Sequence, residues 1–479
     1  MNVLHVSVEC YPVAKAGGLA DVVGSLPIYL NRQNCQASVV MPKYDRKWVH
    51  EHEFEEVHKG VANSGNLRFQ YSIIKEKNDT LGFPLYMVDI PEYWYRPGVY
   101  TDPGSGYGYW DEFERYTTFQ VAVLDWLKSW AVKPDVIHCH DHHTAFIPLL
   151  MHSSPQFHEF AGIPSVLTIH NGQYHGWYFE DKLGKLPKFY DEKIGFLFWQ
   201  GKINALSAGI RSCWKLSTVS QTYMYELIED SNGLESLISH EMVKSKGILN
   251  GIDTEVWNPE TDTYLTKNYD ASNLYDGKYA NKQALSRKAG FDPKLPLFIY
   301  IGRLAKEKGA DLLPDLIGKF LDTGNRANFM ILGTGDPYLH ERFNSMNTQY
   351  LSYFDARLDF NEGLAHQMYA AADFLLMPSR VEPCGLNQMY ALKYGTIPIV
   401  RKTGGLKDSV VDMGDANGYG ITFQNFSLED AEHALHRALE LFFNKKALKD
   451  LQSRAFSLDF SWEASTDKYI NLYKKLISK

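Results

Sequence analysis

Two stretches of this 479-residue chain repeat one pattern, KAGGLADVV from Lys15 and KTGGLKDSV from Lys402. Both read Lys-x-Gly-Gly-Leu-x-Asp-x-Val. In the first, a strand leads into YPVAKAGG and then into a helix that begins near Leu19. Gly17 and Gly18 let backbone amides approach an anion with no Cβ in the way, and the positive end of the helix favours negative charge. Lys15 adds a mobile full charge. A plain strand-to-helix turn with a solvated lysine fits the same residues, and Asp21 fits a first-turn helix stabiliser as well as a ligand contact. In IGRLAKEKG, Arg303 and Lys308 directly follow another strand. A guanidinium is a planar fork for phosphate oxygens and an ammonium a compact charge, so the pair suits a diphosphate and the neutralisation of a departing phosphate. Solvation at the surface is the competing account.

A second group of residues suits sugars. In SRVEPCGLNQMYALKYG, Glu382 and Pro383 precede Cys384 and Gly385 at a further strand-to-helix junction. A carboxylate accepts hydrogen bonds from sugar hydroxyls, and amides at Gly385 and Leu386 can face phosphate. The same carboxylate could equally stabilise the helix start. Cys384 reads as a small packed residue, since no base is paired with it nearby in sequence. In TIHNGQYHG, His170 and Asn171 end a strand where polar groups could meet a sugar, or where a histidine serves the structure alone. HCHDHHTAF resembles a metal site superficially. His138 and His140 share one strand face there, while His142 and His143 turn away, so buried hydrogen bonding is the preferred reading and no metal is assigned. No Asp-x-Asp signature marks a magnesium-diphosphate site.

These residues need strand ends to hold them, and the chain supplies strands alternating with helices. VLHVSVE, QASVVMPKY, DVIHCH and PSVLTIH read as strands, with antiparallel hairpins over residues 51–90 around polar turns such as KEKNDT. LADVVGSLPIYLNR reads as a helix interrupted by Pro27, and ERYTTFQVAVLDWLKSW as a strongly amphipathic helix. A comparable series restarts after KSKGILNGIDTEVWNP, with PLFIYIGR, NFMILGTGD and two helix-then-strand segments. KGADLLPDLIGKFLDT must accommodate Pro314 as a helix. This wiring predicts mostly parallel sheets with helices on both faces, and ligands at the C-terminal ends of the strands. The boundary falls near residues 245–252, giving domains over 1–246 and 247–457, with a final amphipathic helix over 458–479.

The length calls for two large domains, and 44% hydrophobic with 22% charged residues is the balance of an ordinary globular protein. A net charge of −8 argues against a broad nucleic-acid surface while leaving room for a pocket for one small anion. Five scattered cysteines without CxxC spacing predict a reducing compartment. The first residues run straight into a strand pattern without a leader, and no apolar run reaches the roughly 20 residues of a membrane span. A cytoplasmic protein with no membrane or nucleic-acid partner is expected.

Taken together, KAGGLADVV, HCHDHH, TIHNGQYHG, LNGIDTEVWNP, GRLAKEKG, SRVEPCGL, KYGTIPIVRKTGGLKDSV and DFSW resemble the bacterial glycogen synthases and plant starch synthases. The likeness runs over most of the chain in the family's order. It implies a GT-B fold: α/β, two Rossmann-like doubly wound domains facing a deep interdomain cleft, with the C-terminal helix crossing back to the N-terminal domain. It also implies retaining transfer of glucose from a nucleotide sugar, ADP-glucose for preference, to the nonreducing end of an α-1,4-glucan, with no cofactor.

Carried over by position, Lys15 resembles the donor-binding lysine, with Gly17 and Gly18 beside the diphosphate. Arg303 and Lys308 resemble the pair that stabilises the leaving nucleoside diphosphate. His170 resembles the histidine near the reacting glucose, acting through its carbonyl and a sugar hydroxyl, and Glu382 the carboxylate that positions glucose. Asn250 is a sugar contact in the LNG stretch, and Phe360 keeps an aromatic face for adenine. Cys384, Gly385 and Leu386 join the donor site, while Asp21, Asp141 and Asn171 fall to the acceptor or sugar pocket. His142 stands where relatives often carry Trp, and Asn387 where Thr or Ser often follows. A UDP-glucose transferase, a maker of another glucoside and a non-catalytic glucan-binding relative remain the alternatives.

Overall fold

The computed structural model describes residues 1–478. They form two compact units. The first holds Met1–Val219, Met224–Ile248 and the chain from Ser465 onward; the second holds Ser220–Tyr223 and Leu249–Ala464.

In the first unit the strands are β1 (Asn2–Val6), β2 (Gln36–Pro42), β3 (Phe54–Ser64), β4 (Leu67–Glu76), β5 (Leu85–Asp89), β6 (Val136–His140), β7 (Ser165–Ile169), β8 (Trp177–Tyr178), β9 (Phe198–Trp199), β10 (Lys202–Asn204), β11 (Lys215–Thr218) and β12 (Ser245–Gly247). Nine of them form one sheet in the order β12-β11-β7-β6-β1-β2-β5-β4-β3, and β8, β10 and β9 form a small separate one. From β12 through β5 every neighbour is parallel, and β4 and β3 add antiparallel at one edge. The hairpins expected over 51–90 are therefore present as an antiparallel extension of a parallel sheet. The parallel strands at its centre are buried along nearly their whole length, as strands covered on both faces must be.

Two expectations are corrected. The helix Gly18–Arg32 runs through Pro27 without a break. Proline there removes one internal hydrogen bond, and burial of Val23, Leu26, Pro27 and Leu30 holds the helical path. The helix Glu112–Lys128 is not amphipathic in practice, because Phe113 through Leu124 are all buried. Two of its buried polar residues find partners. Glu114 pairs with Lys182 at 2.8 Å and also with Lys185, and Gln120 Oε1 accepts from the Phe146 amide at 2.8 Å.

The second unit has six parallel strands, β13 (Leu297–Ile301), β14 (Asn328–Leu332), β15 (Phe354–Arg357), β16 (Phe374–Met377), β17 (Ile397–Arg401) and β18 (Ile421–Phe423), in the order β15-β14-β13-β16-β17-β18. Alternation splits the core between the two faces. Phe298, Phe329 and Phe374 lie in one cluster, and Leu297, Ile299, Met330 and Leu375 in the other. Pro314 sits in the first turn of the helix Leu313–Asp322, where a missing N–H has no helical partner to lose.

Both sheets are doubly wound, and each reverses direction beside its first strand. The reversal lies between β1 and β6 in the first unit and between β13 and β16 in the second. Loops leaving the C-terminal ends of such strands diverge and leave a crevice for ligands. Lys15 follows β1 and Asp141 follows β6, whereas Arg303 follows β13 and Glu382 follows β16.

Candidate active site

Beyond β1 the chain turns through Glu9 to reach the Lys15–Gly18 loop. Glu9 is buried, and its Oε2 accepts from the amides of Ala16 at 2.5 Å and Gly17 at 2.9 Å. Its other oxygen accepts from the Tyr100 hydroxyl. A carboxylate thus pins the loop and occupies the Ala16 and Gly17 amides. Lys15 Nζ lies 2.6 Å from Asp21 Oδ1 across the first helical turn, with about half of the lysine side chain exposed. Burial pushes the Asp21 carboxyl upward, and Lys15 opposes that shift.

The two glycine pairs prove to have different reasons. A Cβ on Gly18 would meet no atom within 4 Å, and neither Gly17 nor Gly18 takes a left-handed φ. Folding alone makes no demand for glycine at Gly18. At Gly405 a Cβ would fall 2.0 Å from the Cys384 carbonyl oxygen, and the Gly405 amide donates to the Glu382 carbonyl at 3.0 Å. The second copy is buried packing for the 382–385 loop; the first is an exposed loop whose Ala16 and Gly17 amides are taken by Glu9, with open space at Gly18.

His170 ends β7 nearly buried, with its backbone amide donating to Asp141 Oδ1 at 2.7 Å. Burial lowers its imidazole pKa to about 3, so the ring is neutral. Asp141 has φ 56° and ψ −177°, a backbone region that side chains other than glycine rarely occupy. Burial raises its carboxyl to about 7, while the His170 and Asn171 amides pull it back down. Asn171 is exposed, and its Oδ1 accepts from the Gln173 amide at 3.0 Å, closing a local turn. Asp141 therefore braces the His170 backbone. His142 is buried and lies against His143 with ring centroids 3.6 Å apart.

In the second unit Lys308 Nζ lies 2.7 Å from Glu382 Oε1, and Ser379 Oγ donates to Glu382 Oε2 at 3.0 Å. Glu382 is buried, so both carboxylate oxygens are fixed. Arg303 is largely exposed and pairs with Glu307 at 2.7 Å. Asn387 Nδ2 donates to the Ile301 carbonyl at 2.6 Å, which ties the loop after β16 to the end of β13. Gly385 has φ +72°. Leu386 caps the helix Asn387–Lys393. Burial pushes the Cys384 thiol up to about 12 and the Asn250 amide partly offsets it, so the thiol stays protonated. Asn250 is thereby placed beside the 382–386 loop. Its Oδ1 is buried and accepts no hydrogen bond from the described residues, leaving one acceptor to be satisfied by a ligand or water. Phe360, just before the helix Glu362–Ala371, is 87% exposed. So exposed an aromatic ring has its face open for stacking.

Arg303, Lys308, Glu382, Asn250, Cys384 and Gly385 are gathered at one end of the second sheet, while Lys15, Gly17, Gly18, Asp21, Asp141, His170 and Asn171 follow strands of the first. Sequence reasoning passed over Glu9, Tyr100, Ser379 and His5. Glu9 had a readable signal, a lone acid between a buried strand and a glycine loop. Tyr100 had none, because its partner lies 91 positions away, and Ser379, only three residues before Glu382, had none because the turn that brings them together is set by the loop's folded path.

Two doubly wound units, both with cations beyond their strand ends and the second with a buried carboxylate as well, have the make-up of a glycosyltransferase of the GT-B class. The starch synthase catalytic domain family matches residues 2–240, and glycosyl transferases group 1 matches residues 281–455. The chain is 44% identical to the glycogen synthase of Flavobacterium johnsoniae, with 100% of both chains covered. It is 36% identical to that of Exiguobacterium sibiricum over 99% of each. The catalytic domain of starch synthase IV from Arabidopsis thaliana, solved bound to ADP and acarbose, superposes with a TM-score of 0.85 at 32% identity, covering 100% of this chain and 99% of that one. The chain belongs to the glycogen synthase and starch synthase family and is a glycosyltransferase.

The glycine contrast predicts opposite outcomes for one substitution. Gly18→Ala should leave urea stability unchanged or raise it by about 0.5–1 kcal/mol, yet lower glycosyl transfer at least roughly tenfold. Gly405→Ala should lower the unfolding midpoint instead. Equal activity of Gly18→Ala and the native chain would remove the ligand-based reason for that glycine.

Asp141 predicts a pH signature. Its folded pKa lies above the unfolded value of 3.8, so the folded state binds more protons and stability falls as pH rises from about 4 to about 7. Asp141→Asn keeps the acceptor for His170 and removes the titration. Its stability relative to the native chain should climb across that window and level off above it, as read from urea midpoints at each pH.

Proposed function

We propose that this enzyme transfers glucose from ADP-glucose to the nonreducing end of an α-1,4-glucan with retention of the anomeric configuration. The observation that carries the reading is Glu382 held rigid between Lys308 and Ser379 beyond β16, next to the strand that leads to Arg303. A fixed carboxylate orients glucose hydroxyls, and the adjoining cations stabilise charge on the diphosphate as the anomeric bond breaks. Phe360 offers the nucleotide base an open ring face, and Asn250 Oδ1 offers an unsatisfied acceptor. In the first unit, Lys15 with the Gly18 amide serves the donor phosphates, whereas Gly17, expected beside them, has its amide committed to Glu9 and shapes the loop instead. His170 serves the transferred sugar through its carbonyl and ring, with Asp21, Asp141 and Asn171 lining or supporting the sugar side.

The acceptor 4-hydroxyl attacks on the face from which the diphosphate departs, and a phosphate oxygen takes its proton. Two features favour this route over a covalent glucosyl-enzyme. Both Glu382 oxygens are engaged, and the buried Cys384 thiol is protonated. Donor choice follows the relatives, one of which was solved with ADP. Five buried free cysteines suit a reducing compartment, and among the described residues no helix is long and apolar enough to cross a membrane; we place the reaction in the cytoplasm.

The deciding experiment compares product formed from ADP-glucose and UDP-glucose with glycogen supplied. ADP-glucose should be preferred by at least about tenfold in kcat/KM, a difference of about 1.4 kcal/mol in transition-state binding. Preference for UDP-glucose would transfer the assignment to that donor, and failure with both would defeat it. Lys15→Ala should lose about a hundredfold or more in turnover while glycogen retention on an affinity gel persists, which separates an enzyme from a glucan-binding relative.

A further inference from the structure

The parallel register of β1 and β6 sets His5 beside His138, and β6 carries His140 on the same face. His138 is fully engaged. Its Nδ1 meets the Tyr473 hydroxyl at 2.7 Å and its Nε2 meets Thr168 Oγ1 at 2.6 Å, with Thr168 in turn 2.6 Å from Ser217 Oγ. Nitrogens of His5, His138 and His140 all lie within 4.8 Å of one another, a spacing a metal would need. Hydrogen bonds already occupy both ring nitrogens of His138 and of His140, so the group is a hydrogen-bond network.

The other two rings lead to the sugar-side histidine. His5 Nδ1 lies 3.1 Å from His140 Nε2, and His140 Nδ1 lies 3.0 Å from His170 Nε2. We propose that His5 and His140 are positioning residues that hold His170 with its hydrogen on Nδ1, so that His170 meets the sugar as a hydrogen-bond donor through that nitrogen. This rests on the reading of His170 as a residue at the transferred glucose.

The direction follows from counting hydrogens. Burial holds all three rings neutral, so each carries one hydrogen and the row can point only two ways. With hydrogens on the Nδ1 atoms, His5 donates to His140, His140 donates to His170, and the row ends in a lone pair at His5 Nε2. With hydrogens on the Nε2 atoms, His170 donates to His140, His140 donates to His5, and the row ends in an N–H at His5 Nε2. That atom is buried and meets no hydrogen-bond partner among the described residues. A buried N–H without an acceptor is the rarer and costlier ending, so the first direction is preferred. The ring nitrogen bonded to its neighbour thereby decides what the other nitrogen can do.

The test uses the full chain labelled with 15N at histidine. Long-range proton–nitrogen correlations distinguish protonated from unprotonated ring nitrogens, and the His170 signals are those lost in His170→Gln. Protonated Nδ1 and bare Nε2 at His170 in the native chain are expected. The opposite pattern overturns the proposal whatever the activity. In His140→Phe the pattern should become mixed and kcat/KM for glucosyl transfer should fall roughly tenfold, the effect of one lost orienting hydrogen bond. His140→Asn, whose carboxamide can still donate toward His170, should restore much of both. His140→Phe with unchanged spectrum and unchanged kcat/KM would also overturn it. If the native chain uses neither nucleotide sugar, the functional reading falls, while the native spectrum still decides the tautomer. If His140→Phe does not fold, the native spectrum settles the direction of the row by itself.

Discussion

Desolvation beneath the strand ends is the constraint on which this structure turns. The parallel pairing of β1, β6 and β7 packs His5, His138, His140 and Thr168 where no water reaches. An imidazolium there would have no carboxylate to answer it, and burial accordingly drives His5, His138, His140 and His170 toward the neutral form. Neutral rings must share their single hydrogens in order, so geometry in the sheet becomes chemistry at its edge. Asp141 completes the arrangement from outside the sheet by holding the His170 amide from a strained backbone conformation.

The cations follow a different rule, graded by exposure. Arg303 sits in a largely solvated pair with Glu307, and such pairs contribute only about 0–1 kcal/mol, while Lys15 is half exposed against a more buried Asp21. Arg303 can leave its carboxylate for a phosphate at small cost, and Lys15 can do so as Asp21, already pushed upward by burial, takes a proton. Lys308 differs, because its partner Glu382 is buried and also held by Ser379. Removing one member of that pair would strand the other. Mobile charge and fixed charge are thus divided among three residues that the sequence presents alike.

The repeated Lys-x-Gly-Gly-Leu-x-Asp-x-Val pattern divides in the same way. In each copy a helix begins at the second or first glycine, Gly18–Arg32 in one and Gly404–Ser409 in the other. Around Gly405 the Cys384 carbonyl leaves no space for a side chain, so glycine is a packing necessity. Around Gly18 there is space to spare. Identical words in the two halves of the chain therefore answer a steric demand in one and leave room for a ligand in the other.

Strand and helix order was legible from the sequence, because apolar runs and glycine-bearing turns are local signals. They placed Lys15, Arg303, His170 and Glu382 at strand ends without any coordinates, and the ordered motifs pointed to the family. Pro27 and the Glu112–Lys128 helix misled for one reason: periodicity describes a helix alone, while burial by neighbours decides whether a proline is tolerated or a polar face covered. His5 carried no sign of its function, being one polar residue in a buried strand 135 positions from His140. The Ser379–Glu382–Lys308 grouping was equally hidden, whereas Glu9 showed as a lone acid but its Tyr100 partner did not. Local chemistry determined which residues could act, whereas strand register and desolvation, both products of distant contacts, decided which of them meet, which way their hydrogens point and which charges are free to move.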